Sequence, residues 1–228
     1  MFSRDNITEA FPAALPIILG YVAIGLPCGI LNASIGMNWV QVGIMSVVFY
    51  SGAGQFMIPN MWLAASPLAS IVASVSLVNT RQMLYSASIA KWCAGAKRWR
   101  SLLFAATVTD ESFGVNMNRF LEGGWSVENA TLVNLMSQTS WTLSCIVGAL
   151  VGNAVSIPLA IASFAMTSIF ICLLVTQKIS LQNVVAAFAA MIGVFLCKLA
   201  GFGGAAILVG ALLGVGAGIL ATRIREAD

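Results

Sequence analysis

Polar residues are scarce along this chain, and the few places where they gather divide it into apolar runs. Such runs recur near residues 10–31, 39–58, 61–78, 83–96, 101–120, 130–152, 155–176, 184–200 and 204–221. A helix rising 1.5 Å per residue needs about 20 apolar residues to cross a hydrocarbon core about 30 Å thick. Some runs reach that length and others fall short. The pattern therefore predicts an all-α, polytopic membrane bundle of about 7–8 spans, some of its helices broken or re-entrant. Asn79-Thr80-Arg81-Gln82 separates the third run from the fourth, and Gly201-Phe202-Gly203-Gly204 separates the last two. The fifth run carries Asp110 and Glu111 in its middle.

The outline repeats: two long runs, then two shorter ones separated by a break. Paired, interrupted segments in matching positions mark the binding site of transporters built from repeats. The same outline also arises whenever an eight-helix chain is cut into two groups of four. We expect one transmembrane domain over 1–228, with halves at 10–96 and 130–221 joined by 97–129.

Composition supports the membrane assignment. Hydrophobic residues make up 59% and charged residues 8% of the 228, against about 25% charged in an ordinary soluble domain. So few charges cannot solvate a globule of this size. The polar stretch Met1–Glu9 lacks the pattern of a cleaved signal peptide, so the first run is expected to be a retained span. The densest basic loop, Lys97-Arg98-Trp99-Arg100 preceded by Lys91, is placed in the cytoplasm by the positive-inside rule. If 61–78 and 83–96 form an up-and-down pair, the N-terminus is cytoplasmic too. The remaining basic residues favour a re-entrant 101–120. The six tryptophans, Trp141 among them, mostly fall near predicted ends, as an aromatic belt requires.

Several classes are excluded by inventory. A net charge of +3 with no basic stripe gives nucleic-acid binding no support. Five scattered cysteines, no CxxC and no histidine leave no zinc site of the usual kind, so neither metal nor cofactor is expected. A serine–histidine protease is impossible without histidine. An aspartyl protease needs two intramembrane aspartates, and only Asp110 qualifies. No phosphate-binding loop with its lysine is present, so the chain is not itself an ATPase, and no enzyme activity is expected.

Three stretches carry the candidate chemistry. In Ser51-Gly52-Ala53-Gly54-Gln55-Phe56 two glycines and a serine weaken a helix within an apolar run. Unwound backbone at membrane depth survives only where it is buried or lines a cavity, and there it offers N–H and C=O groups to a ligand. Close packing through small residues explains the same spacing. In Asn79-Thr80-Arg81 the guanidinium either snorkels to a membrane surface or holds a carboxylate in a wet vestibule. In Thr109-Asp110-Glu111-Ser112-Phe113 two adjacent carboxylates project about 100° apart on a helix, so they serve different partners. One is placed to pair with Arg81 and the other to carry a proton, unless both simply face water. The glycines from Gly201 to Gly218 read as helix packing, including packing against another membrane subunit.

These three stretches, with Leu84-Tyr85 after Arg81, occur in the order and spacing of the AzlC family, which the chain resembles over nearly its whole length. The stretch Phe164-Ala165-Met166-Thr167-Ser168-Ile169-Phe170 is similar to that family's second half. The resemblance implies export of branched-chain amino acids such as valine, leucine or isoleucine across the inner membrane. It also implies a small AzlD-like membrane subunit as partner. With no nucleotide site in the chain, export would be secondary transport, expected to be proton-coupled.

For such a solute the expected substrate-binding residues are Ser51, Gly52, Gly54, Gln55, Phe56, Asn79, Arg81, Asp110, Glu111 and Phe113. Arg81 and the amides around Gly52 and Gly54 would receive the carboxylate. Asp110 or Glu111, helped by Gln55 and Asn79, would receive the ammonium or the coupling proton. Phe49, Phe56, Met57 and Phe113 would line an apolar pocket. A transporter of another small solute and a non-transporting membrane scaffold are the two competing classes.

Overall fold

The computed structural model describes residues 3–154, 180–201 and 205–227, with residues 164, 167, 168, 171 and 175 between them. The expected span at 155–176 and the motif at 164–170 lie largely outside the described residues. Among the described residues the chain is helical, without strands. Two of their helices, Arg4–Ala33 and Leu181–Leu199, are both long enough and apolar enough to cross a membrane.

The first helix, α1 (Arg4–Ala33), starts at a capping box in which Ser3 and Asn6 satisfy each other's backbone N–H. The run at 39–58 is two helices. Helix α2 (Trp39–Val48) stops at Phe49, and α3 (Gly52–Leu63) begins after Ser51. The run at 101–120 is broken likewise, into α5 (Arg98–Thr107) and α6 (Asp110–Glu122), joined by extended Val108 and Thr109. These four helices have 10, 12, 10 and 13 residues, each short of the about 20 a crossing takes.

Between them lies α4 (Leu68–Ile89), which corrects an expectation. Asn79-Thr80-Arg81-Gln82 does not divide two segments, because α4 runs through it unbroken. The stretch holds no Gly or Pro to interrupt the helix. Asn79, Arg81 and Gln82 instead find partners on other elements. The up-and-down pair expected of 61–78 and 83–96 is absent, and the orientation inferred from that pair falls with it.

The chain forms two compact units. In the first, Met1–Pro59 with Asn79–Ala165, α1 packs along α7 (Val127–Ala154) closely enough that backbone meets backbone. A Cβ on Gly29 would lie 2.0 Å from the Cys145 carbonyl oxygen, and one on Gly148 would lie 2.2 Å from that of Leu26. Neither obstacle can move aside, so glycine is required at both positions. Ala130, Asn134, Ser137, Trp141, Ser144 and Gly148, spaced three and four apart, form a buried stripe on α7.

Buried amides satisfy the backbone that the second break frees. Asn134 Nδ2 donates to the carbonyl of Phe104 at 3.3 Å, in the last turn of α5. Its Oδ1 accepts from Asn116 of α6 at 3.0 Å, and Asn116 Oδ1 accepts from Trp125 Nε1 at 3.1 Å.

In the second unit, Asn60–Val78 with Met166–Asp228, α8 (Leu181–Leu199) packs on α9 (Ala205–Ala227). Gly201, in the left-handed region at φ 79°, follows the end of α8, as the glycine cluster predicts. A Cβ on Gly210 would lie 2.9 Å from the Ala190 carbonyl oxygen, and one on Gly214 would lie 2.9 Å from that of Ala186. These two glycines therefore pack within the chain, whereas Gly216 meets nothing within 4 Å.

Candidate functional site

The first break is held together from within. Ser51 caps α3, its Oγ accepting from the Gly54 N–H at 3.1 Å and its carbonyl from the Gln55 N–H at 2.9 Å. The Gln55 side chain is fully buried. Its Nε2 donates to the Phe49 carbonyl at 2.7 Å, and its Oε1 accepts from Trp141 Nε1 at 3.0 Å and Ser46 Oγ at 3.2 Å. Asn32 of α1 donates to the Gln55 carbonyl at 3.1 Å. Helix α4 completes the break. Ser51 Oγ donates to Asn79 Oδ1 at 2.6 Å, and Gln82 Nε2 donates to the Tyr50 carbonyl at 3.2 Å. Gly54 makes room for the Phe49 ring, which would lie 2.7 Å from a Cβ there.

The second break presents charge. Thr109 caps α6 in a box with Ser112, so the helix opens on Asp110 and Glu111, where its dipole favours anions. The two carboxylates diverge as their spacing requires. Asp110 Oδ2 pairs with Arg81 Nη2 at 2.9 Å, and Oδ1 accepts from the Tyr85 hydroxyl at 2.5 Å. Arg81 and Tyr85 lie one turn apart on α4, and the Tyr85 ring stacks on Phe113 at 4.5 Å. The Arg81 and Asp110 side chains are 27% and 21% exposed, too open for a sealed core pair and too buried for a surface one. Arg81 also keeps a buried Nε–H with no partner.

Glu111 turns the other way, toward α1. Its Oε2 accepts from the Tyr21 hydroxyl at 2.7 Å, and that hydroxyl lies 2.8 Å from Thr109 Oγ1. Tyr50, between α2 and α3, is buried, and its hydroxyl completes no hydrogen bond. Tyr21 leans edge-on against Trp141 at 5.2 Å, which links this pocket to the Gln55 anchor.

The expected residues therefore separate by environment. Arg81, Asp110, Glu111 and Phe113 are partly open. Ser51, Gly54, Gln55 and Phe56 are buried in the scaffold of the first break, and Gly52 sits against the Trp141 ring. Asn79 holds Ser51. Tyr21, Tyr50, Tyr85 and Trp141 were not among the expected site residues. Trp141 in particular is no belt residue, being 2% exposed in the middle of α7. Its place in the three-and-four stripe with Asn134, Ser137 and Ser144 was the available signal.

Comparison with known proteins places the chain. The family model described as AzlC protein matches residues 16–155. An uncharacterized membrane protein of Helicobacter pylori strain 26695 is 32% identical over 170 residues, 74% of each chain. The branched-chain amino acid transport protein AzlC of Bacillus subtilis is 27% identical over 213 residues, 91% of this chain and 81% of its own. The inner membrane protein YgaZ of Escherichia coli K12 is 25% identical over 148 residues, 64% and 60% of the two chains. No solved structure matches. With these relatives and its apolar helices the chain is a multi-pass protein of the inner membrane, and it belongs to the AzlC family.

Proposed function

We propose that the chain is a secondary transporter exporting branched-chain amino acids, L-valine with leucine and isoleucine, coupled to protons. We further propose that it works as the large subunit of a pair with a small AzlD-like membrane protein. The observation that carries this reading is the partly open Arg81–Asp110 pair at the start of α6, on a helix whose Asn79 and Gln82 reach the start of α3. A zwitterion needs an anion and a cation site within a few ångströms, in a place that excludes most water.

In this reading Arg81, through its unpaired Nε–H, and the first N–H groups of α3 at Gly52 and Ala53 receive the carboxylate. Asp110 and Glu111 face the ammonium, and Phe113 with the Tyr85 ring forms the wall for the apolar side chain. Ser51, Gly54, Gln55, Phe56 and Asn79 hold the first break in shape. The name of the Bacillus subtilis relative supports the substrate class.

The test uses cells lacking their own exporter, preloaded with a valine- or leucine-containing dipeptide and expressing the chain with an AzlD-like partner. Arg81→Ala should reduce efflux to background with unchanged protein in the membrane. Efflux that survives the substitution sinks this assignment of the site. Efflux by the unaltered chain alone, at the rate of the pair, sinks the two-subunit form.

A further inference from the structure

Asp110 and Glu111 are adjacent in sequence, yet their surroundings give them different tasks. Both oxygens of Asp110 are engaged, one by Arg81 and one by Tyr85. Neutralising Asp110 would leave the Arg81 guanidinium, only partly open to water, without its counter-charge. Among the described residues no basic side chain lies within ion-pair distance of Glu111. Neutralising it therefore strands no charge. Arg81 and Asp110 cancel, so Glu111 sets the net charge of the site.

The pocket around Glu111 also suits both of its protonation states. Ionised, it accepts from the Tyr21 hydroxyl. Protonated, it needs an acceptor for its new O–H. The Tyr21 oxygen, already 2.7 Å away, can accept it once the Tyr21 O–H turns to Thr109 Oγ1, 2.8 Å from it. The other titratable or charged groups around Glu111 are Tyr21 from α1, Tyr50 between α2 and α3, Tyr85 from α4 and Asp110 on α6 itself, with Arg81 of α4 on the far side of Asp110.

We infer that Glu111, and not Asp110, carries the coupling proton, with Tyr21 as the hydroxyl that attends both of its states. The inference rests on the transport reading. The step is one proton transfer: water on one side of the membrane gives a proton to the Glu111 carboxylate, and the acid later returns it to water on the other side. No other bond is made or broken. The substrate's ammonium and the proton compete for the same carboxylate, so each drives the other off, as an antiporter requires.

The experiment is infrared difference spectroscopy of the purified full chain in lipid nanodiscs, between acid and neutral pH and without substrate. Every carboxylate of the chain adds to the carbonyl band that appears on acidification, and one component of it should persist in Asp110→Asn and be missing in Glu111→Gln, whose amide oxygen still accepts from Tyr21. In Tyr21→Phe that component should move to higher wavenumber, because the acid loses its hydrogen-bond partner. A band lost in D110N and kept in E111Q, or one that no variant alters, overturns the inference. Because no substrate is present, the result is independent of the efflux assay. A band assigned to Glu111 with no amino-acid efflux would refute the substrate and keep the proton carrier, and the reverse would refute only the carrier.

Discussion

The two helix breaks of the first unit are built alike and finished differently. Each ends one short helix and starts another behind a hydroxyl cap, Ser51 in one case and Thr109 in the other. At the first, an amide fills the space, and all of its polar atoms are engaged by Phe49, Trp141 and Ser46. At the second, two carboxylates start the helix in partly open surroundings, one paired with a cation and one without. A break in lipid must satisfy its backbone in either case. Once that is done, a saturated amide gives a rigid corner, whereas ionisable groups give a place where charge can change.

The sharpest test of that contrast removes the amide. Gln55→Leu should cost about 3–5 kcal/mol, since Trp141 Nε1 and the Phe49 carbonyl lose buried partners at about 1–3 kcal/mol each and the packing is disturbed as well. It would be read as a fall in the thermal unfolding midpoint of purified protein. If Gln55→Leu unfolds where the unaltered protein does, the first break is not the rigid corner described here.

Next in size is the pair Gly54→Ala and Gly52→Ala. The first forces the Phe49 ring and Ser51 Oγ to move and should cost about 1–3 kcal/mol. The second meets the Trp141 ring at an ordinary 3.4 Å and should cost less than about 0.5 kcal/mol. Equal effects would show that the crowding at Gly54 does not matter.

Smallest is Tyr85→Phe, which keeps the stack on Phe113 and removes the donor to Asp110. A loss of about 1–1.5 kcal/mol, roughly tenfold at most in half-saturating substrate, should come with unchanged thermal stability. A stability loss instead would place Asp110 in the scaffold with Gln55.

The unwinding at Ser51–Gln55 and the unusual polarity of Asp110 and Glu111 were legible in the sequence because polarity inside an apolar run is costly and therefore conspicuous; the break at Val108 and Thr109 was not. Asp110 with Glu111, Arg81, and the Ser51–Gln55 stretch all stand out for that reason. What could not be read was which partner each group takes. Asn79–Gln82 resembled a break because composition does not distinguish exposed polar groups from satisfied ones. Tyr21 and Trp141 were overlooked because an amphipathic ring in an apolar run serves equally at a membrane interface or at a buried hydrogen bond. Asn32, Asn116 and Asn134 were missed as single amides, and only the periodic stripe on α7 hinted at the last of them.

The unbroken course of α4 has a consequence for which changes of length the chain can absorb. Asn79 and Gln82 meet the first break, while Arg81 and Tyr85 meet the second. The spacing between those contacts is thus fixed by about 9 Å of helix, with no flexible joint inside it. One residue inserted after Gln82 would turn Tyr85 about 100° away from Asp110 and leave Arg81 in place. The same insertion between α1 and α2, in the turn around Gly36, would be taken up by the loop. The site is therefore kept in register by counting residues along one helix, and mutational scanning by single-residue insertion should find insertions silent around Gly36 and damaging between Asn79 and Tyr85.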